Sequence, residues 1–165
     1  MTASAPTGFA PSELVIFELG SQKLGLASES VLEILRAVAI TPLPGAPAGV
    51  EGVVDLRGTI VPVFDLRARL GLLPRPLLIA DHLLVCDAGA CGVVVVRVDR
   101  ITQIRANADA PELPQVGPST GSLVRALARL PDGLVVICDL SAVLTEPDLE
   151  ALARAMAALG TPRPT

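Results

Sequence analysis

At 165 residues, 51% of them hydrophobic and with a mean hydropathy of +0.60, the chain is sized for one domain, or two small lobes on a shared core, burying roughly 70% of its unfolded surface. A net charge of −4, with no Trp, no Tyr and only Phe9, Phe17 and Phe64, disfavours a phosphate-neutralising or base-stacking surface and so argues against nucleic acid as a partner. No apolar run approaches the ~20 residues of a membrane helix, and the opening residues lack a signal peptide's charged and apolar regions; a cytoplasmic protein without membrane insertion is expected.

Residues 1–11 read as a flexible lead-in to a single domain over 12–160. Glu13 to Leu19 and Lys23 to Ala27 have the composition of a hairpin turning at Gly20-Ser21. Ser28 to Arg36 reads as a short helix capped by Ser28, with Val31, Ile34 and Leu35 on one face. Ile40 to Pro47 carries three prolines in eight residues, which predicts a rigid extended loop because each Pro fixes φ and removes a donor. Gly52 to Arg57 and Thr59 to Phe64 are predicted strands joined by a sharp turn at Gly58, followed by a short helix from the capping Asp65 to Gly71. A second proline-rich connection, Leu72 to Asp81, leads into further strands; the longest predicted loop is Ala106 to Gly121. A helix over 146–159 has Thr145 and Asp148 at capping-box spacing and a stripe of Leu149, Leu152, Ala153, Met156 and Leu159. The tail, 161–165, is expected to be disordered.

The segments repeat. Gly52 to Gly71 returns in short form at Leu134 to Leu144, where a β-branched strand is again followed by Asp-Leu and a short helical pattern. Val15 to Arg36 matches Leu84 to Thr102, with Gly25 set against Gly92 and therefore Val31 against Val98. Two copies of one motif, a first lobe of about 13–73 and a second of about 82–145, are the expected organisation.

Catalytic chemistry finds little support. His82 is the only histidine and stands at a strand start, and no G-x-S-x-G elbow or glycine-rich phosphate loop occurs. Cys86, Cys91 and Cys138 form no C-x-x-C pair and read as reduced thiols of the core, so neither metal nor other cofactor is expected. Asp65 and Asp139 read as caps. Asp55 lies two residues before Arg57, a spacing that would put both on one strand face, where an ion pair could form.

The order of L-V-I-F-E-L-G, V-L-E-I-L-R, I-T-P-L-P-G-A-P, G-V-V-D-L-R-G-T-I-V-P-V-F-D-L-R-A-R-L-G and D-G-L-V-V-I-C-D-L resembles the CheW family of bacterial chemotaxis coupling proteins, over residues 12 to 146. The resemblance implies an all-β fold of two SH3-like five-stranded β-barrel lobes sharing a hydrophobic core, with a C-terminal helix. It implies a non-catalytic adaptor that binds the regulatory domain of a CheA-type histidine kinase and the cytoplasmic tip of methyl-accepting chemoreceptors. Carried over by position, Glu33 and Arg57 would form a buried or half-buried bridge near the receptor groove, Val31, Ile34 and Val98 its floor, and Gly58 the turn. Asp55, where the family commonly has Asn, would modulate Arg57, and Val96-Arg97 would remove an acid from a strand end. A divergent scaffold of a twitching, gliding or developmental pathway is the alternative reading, and a small β-barrel ligand binder a further one.

Overall fold

The computed structural model describes residues 13–106, 123–130 and 133–160; the lead-in, most of the longest loop and the tail lie outside them. Ten strands are described: β1 (Glu13–Leu19), β2 (Gln22–Ala27), β3 (Val31–Arg36), β4 (Val50–Leu56), β5 (Thr59–Phe64), β6 (His82–Asp87), β7 (Val93–Val98), β8 (Arg100–Ala106), β9 (Val124–Leu130) and β10 (Gly133–Cys138), followed by helix α1 (Glu146–Gly160). They form two five-stranded sheets, ordered β8-β1-β2-β10-β9 and β3-β6-β7-β5-β4.

The expected helix over Ser28 to Arg36 is instead a single 3₁₀ turn, Ser28–Ser30, running into β3. Its apolar residues fit a helical stripe, but Val31 and Ile34 are β-branched, and along β3 half-buried and exposed residues alternate with the strand period of two. The predicted short helix after Asp65 is a 3₁₀ turn at Ala68–Leu70. Gly71 ends it at φ 71°, and Asp65 Oδ1 accepts from Arg67 N–H at 3.1 Å. The capping box of α1 forms as expected, with Thr145 N–H on Asp148 Oδ2 at 3.2 Å and Asp148 N–H on Thr145 Oγ1 at 3.3 Å. Of the expected stripe Leu152 is buried and Leu149 and Met156 are half-buried, whereas Ala153 and Leu159 face out; Ala155, outside the stripe, is buried in Ala153's place.

The halves 13–73 and 82–145 do not each own a sheet. The first two strands of each half join the last three of the other: β1 and β2 pair with β8, β9 and β10, and β6 and β7 with β3, β4 and β5. The two sheet orders are therefore one order written twice, offset by five strands. Register makes the correspondence residue by residue. In the parallel pairs, Gly25 faces Ile137 and Val95 faces Val63; in the hairpins, Phe17 faces Leu24 and Cys86 faces Val94. Phe17 thus corresponds to Cys86 and Gly20 to Gly89, and these two glycines share left-handed φ of 58° and 63°. Across the sheets, Cys86 faces Val31 and Phe17 faces Ile101. The counterpart of Val31 is accordingly Ile101 and not Val98: Gly92 lies in the turn before β7, while Gly25 lies inside β2, and aligning those two glycines shifts the register.

Strand alternation sends residues to two cores. Along β7, Val94, Val96 and Val98 enter the large cluster between the sheets with Phe17, Leu24, Phe64, Leu84 and Leu140, where α1 adds Leu152 and Ala155. Val95, pointing the other way, packs with Val54, Val61, Val63, Leu83 and Val85 inside the curl of its own sheet. That curl closes where the extension of β3 meets β4: Thr41 and Val53 exchange backbone bonds of 2.9 and 2.8 Å. The contact is so close that a Cβ on Gly52 would sit 2.2 Å from the Thr41 carbonyl oxygen.

Candidate functional site: a clamp across the sheet seam and a buried ion network

Glu33 lies on edge strand β3 and Arg57 in the turn between β4 and β5, at the opposite edge of the same sheet. Leu56 pairs with Thr59, which leaves Arg57 and Gly58 as a two-residue turn with φ of 51° and 89°, the positive values a type I′ hairpin needs. The turn aims the guanidinium across the seam, and Glu33 accepts two bonds from it, at 2.6 and 3.2 Å. Only the acid is half-buried: the Glu33 side chain is 33% exposed and that of Arg57 78%. Asp55 does not compete for Arg57, because its Oδ1 accepts from Gly58 N–H at 2.7 Å and so braces the turn. The expected strand-face pair fails because β4 ends at Leu56, one residue before Arg57.

The other expected site residues separate by depth. Ile34, opposite Leu84 at the sheet edge, is 39% exposed beside the clamp, and Leu32 is 57% exposed. Val31 is half-buried against the common core, as is its counterpart Ile101. Val98 is fully buried and offers no surface to a partner. Sequence reasoning missed Ile101 because only the strand registers reveal it. Glu33 corresponds to Gln103 in the second half, since Glu33 faces Val85 and Gln103 faces Ile16; the acid of the clamp belongs to one copy of the motif alone.

A second constellation had no sequence signal. Arg97, fully buried on β7, donates to Glu51 Oε2 at 3.2 Å, Asp65 Oδ2 at 3.5 Å and the Arg75 carbonyl at 2.6 Å. Arg75 and Arg67 both donate to Asp99, and Arg75 also grips Asp81 through bonds of 2.8 and 3.2 Å. The strand-end acid that Val96-Arg97 would have removed is supplied by Asp99, just past β7, which also accepts from Gly20 N–H at 2.7 Å. Burial raises the pKa of the Glu51 carboxyl, although Arg97 works against it. Burial also opposes charge on Asp99, yet the Gly20 N–H with Arg75 and Arg67 outweighs it and holds that carboxyl below its ordinary value. The network pins the proline-rich connection to the body, leaving Leu73 and Ile79 projecting from it, 86% and 93% exposed.

Nothing in this arrangement resembles a catalytic or metal centre. Among the described residues no cluster of His, Cys, Asp and Glu could hold a metal. Burial pushes the Cys86 and Cys138 thiols up to about 12, far from a nucleophilic thiolate. His82 is half-buried at the start of β6, with Nδ1 unpartnered. No described helix is long and apolar enough to cross a membrane.

Residues 13–148 match the CheW-like domain family. The chain is 31% identical over 144 residues to a probable chemotaxis protein CheW of Rhizobium etli, covering 84% of this chain and 91% of the relative. It is 27% identical over 148 residues to the chemotaxis protein CheW of Treponema pallidum, covering 86% of each. A stretch of 54 residues is 48% identical to protein FrzA of Myxococcus xanthus, about a third of either chain. The crystal structure of the scaffolding protein TtCheW from Thermoanaerobacter tengcongensis superposes with a TM-score of 0.73 at 25% identity, covering 84% of this chain and 95% of that one.

Proposed function

Because the chain belongs to the CheW-like domain family and is a chemosensory coupling adaptor, we propose that it joins the regulatory domain of a CheA-type histidine kinase to the cytoplasmic tip of methyl-accepting chemoreceptors, working through surfaces and without catalysis. The observation that carries this reading is the exposed clamp. Glu33 and Arg57 hold a bidentate pair at the surface, where an ion pair adds little stability but offers oriented charge to a partner. Leu32 and Ile34, exposed on the alternate face of β3, and Val31 with Ile101 at the border of the core add apolar surface that a partner helix could cover. Gly58 and Asp55 act indirectly, by holding Arg57 in its turn.

The test is calorimetry of the purified protein with the kinase regulatory domain and, separately, receptor-dependent kinase activation in reconstituted arrays. Wild type is expected to bind the kinase domain with micromolar-class affinity. Arg57→Glu is expected to abolish receptor-dependent activation while leaving kinase binding within about twofold; absence of kinase binding by the wild type would overturn the assignment. A second reading, service in a chemosensory pathway other than flagellar chemotaxis, draws on the stretch shared with protein FrzA.

A further inference from the structure

Two aliphatic side chains on edge strand β3 stand in solvent, Leu32 at 57% exposure and Ile34 at 39%. Ile34 shares its face with Leu84 of β6, which enters the core between the sheets, so the apolar surface of that core runs out to the sheet edge. Leu32 stands just before it, at the bulge between Val31 and Glu33. What covers this strip is decided by what can reach it. β1 pairs antiparallel with β2 through Leu14 and Ala27, and Ser28 Oγ donates to Glu13 Oε1 at 2.9 Å. The segment before Glu13 therefore leaves the sheet beside the 3₁₀ turn Ser28–Ser30, which delivers the chain into β3.

Phe9 precedes Glu13 by four residues, and Leu32 follows Ser28 by four. Four extended residues span about 13 Å, and the 3₁₀ turn shortens the path from Ser28 to Leu32, so the ring of Phe9 is within reach of Leu32. The more exposed Leu73 is out of range: its neighbour Leu72 meets Gly20 at the opposite end of β1, roughly 20 Å away at ~3.3 Å per strand residue. The segment also has the right chemistry. Residues 2–12, T-A-S-A-P-T-G-F-A-P-S, carry no ionisable side chain, so covering β3 desolvates no charge. Pro6 and Pro11 hold the chain extended, Pro11 has no N–H with which to continue the β1 ladder, and a stiffened segment loses less entropy on docking. Phe17 and Phe64 are fully buried in the core; Phe9, the third and last aromatic residue of the chain, is the ring this segment has to offer.

We infer that residues 1–12 form a strap across β3, with Phe9 seated on Leu32 and Ile34. The strap occupies apolar surface that a partner helix has to cover, so such a partner must first displace it. Only that last step rests on the proposed docking surface; the strap itself is tested with no partner present.

The chain has no Trp and no Tyr, so Phe9→Trp in the full chain supplies a single fluorophore. Its emission is expected to be blue-shifted, and its quenching by acrylamide several-fold weaker, relative to a peptide of residues 1–12 carrying the same substitution. Adding Leu32→Ser and Ile34→Thr, both at exposed positions, should return both readings to those of the peptide while the far-ultraviolet circular dichroism stays unchanged. In the ¹⁵N-labelled wild type, removal of residues 1–12 should shift the amide signals of Leu32, Glu33 and Ile34. Three results would each rule the strap out: peptide-like emission with unmoved β3 amides, protection of the fluorophore that survives the double substitution on β3, and protection that grows with protein concentration, the mark of a second copy as the occupant.

Discussion

Arg57 and Glu33 illustrate why a pair of charges must be placed before it is valued. The sequence puts an acid and a base at family positions and the structure joins them through two bonds, but the guanidinium is largely in water, where pairing energy is offset by hydration and by side-chain entropy. Removing either partner strands no desolvated charge, so Arg57→Ala and Glu33→Ala are each expected to melt within about 2 °C of wild type, a small-ΔΔG shift for a chain of this size. Scanning calorimetry of both variants checks this, and a loss of several degrees would mean that the pair carries the seam. Asp99 is the opposite case. Its carboxyl is held below the ordinary value, so its contribution is fully present above the unfolded pKa of about 3.9 and is lost as pH falls through the folded value. Glu51, with its pKa raised by burial, works with the opposite sign and offsets part of the acid limb. Asp99→Asn should therefore be less stable than wild type near neutral pH, with the gap narrowing below about pH 4. Urea titrations from pH 3 to 7 that give a constant gap would refute this.

At the level of elements, the strands after Gly52 were legible because β-branched residues and turn glycines coincide, whereas β3 was not. A stretch with apolar residues at positions compatible with both periods is decided by what lies beside it: here β6 offers a free edge, and the chain leaving β2 through a single 3₁₀ turn is already aligned to pair with it. Gly52 shows the same dependence on a neighbour. Nothing in G-V-V-D-L-R-G says that a second backbone passes within contact, yet the Thr41 carbonyl does. Gly52→Ala must push the proline-rich extension of β3 away from β4, breaking two short backbone bonds at the seam. The expected cost is about 3 kcal/mol, at the upper end for overpacking, measurable as a lower urea midpoint. Gly58→Ala, with open space around its Cβ position but φ of 89°, should cost only the conformational strain, about 1 kcal/mol. Equal effects of the two substitutions would show that steric contact at the seam is not what Gly52 provides.

On the scale of the whole molecule, the exchange of strands between halves makes the fold indivisible. Each sheet lacks either its first two strands or its last three without the other half, and the apolar faces of β6 and β7 that fill the core between the sheets would be bare. A polypeptide ending at residue 80, or one beginning there, is accordingly expected to show no cooperative unfolding transition, while an equimolar mixture of the two regains the circular dichroism of the intact chain. Independent cooperative melting of either piece would mean that each half can close a barrel on its own. The buried network of Arg67, Arg75, Arg97, Asp81 and Asp99 belongs to this scale as well. It ties the connection between the halves to both of them, through Asp99 between β7 of one sheet and β8 of the other.

Local composition and spacing specified the two-copy motif, most of the strands, the caps at Asp139 and Thr145, and family membership, because β-branched runs, turn glycines, prolines and capping residues act over a few positions. The tertiary fold settles which strands share a sheet, that Ile101 rather than Val98 answers to Val31, that Arg57 faces Glu33 while Asp55 braces the turn, and that Arg67, Arg75 and Arg97 gather Asp65, Asp81 and Asp99 into one network. These depend on pairing register and on contacts between residues tens of positions apart, and a single-residue slip of register exchanges the faces of a whole strand, so no local pattern could have settled them.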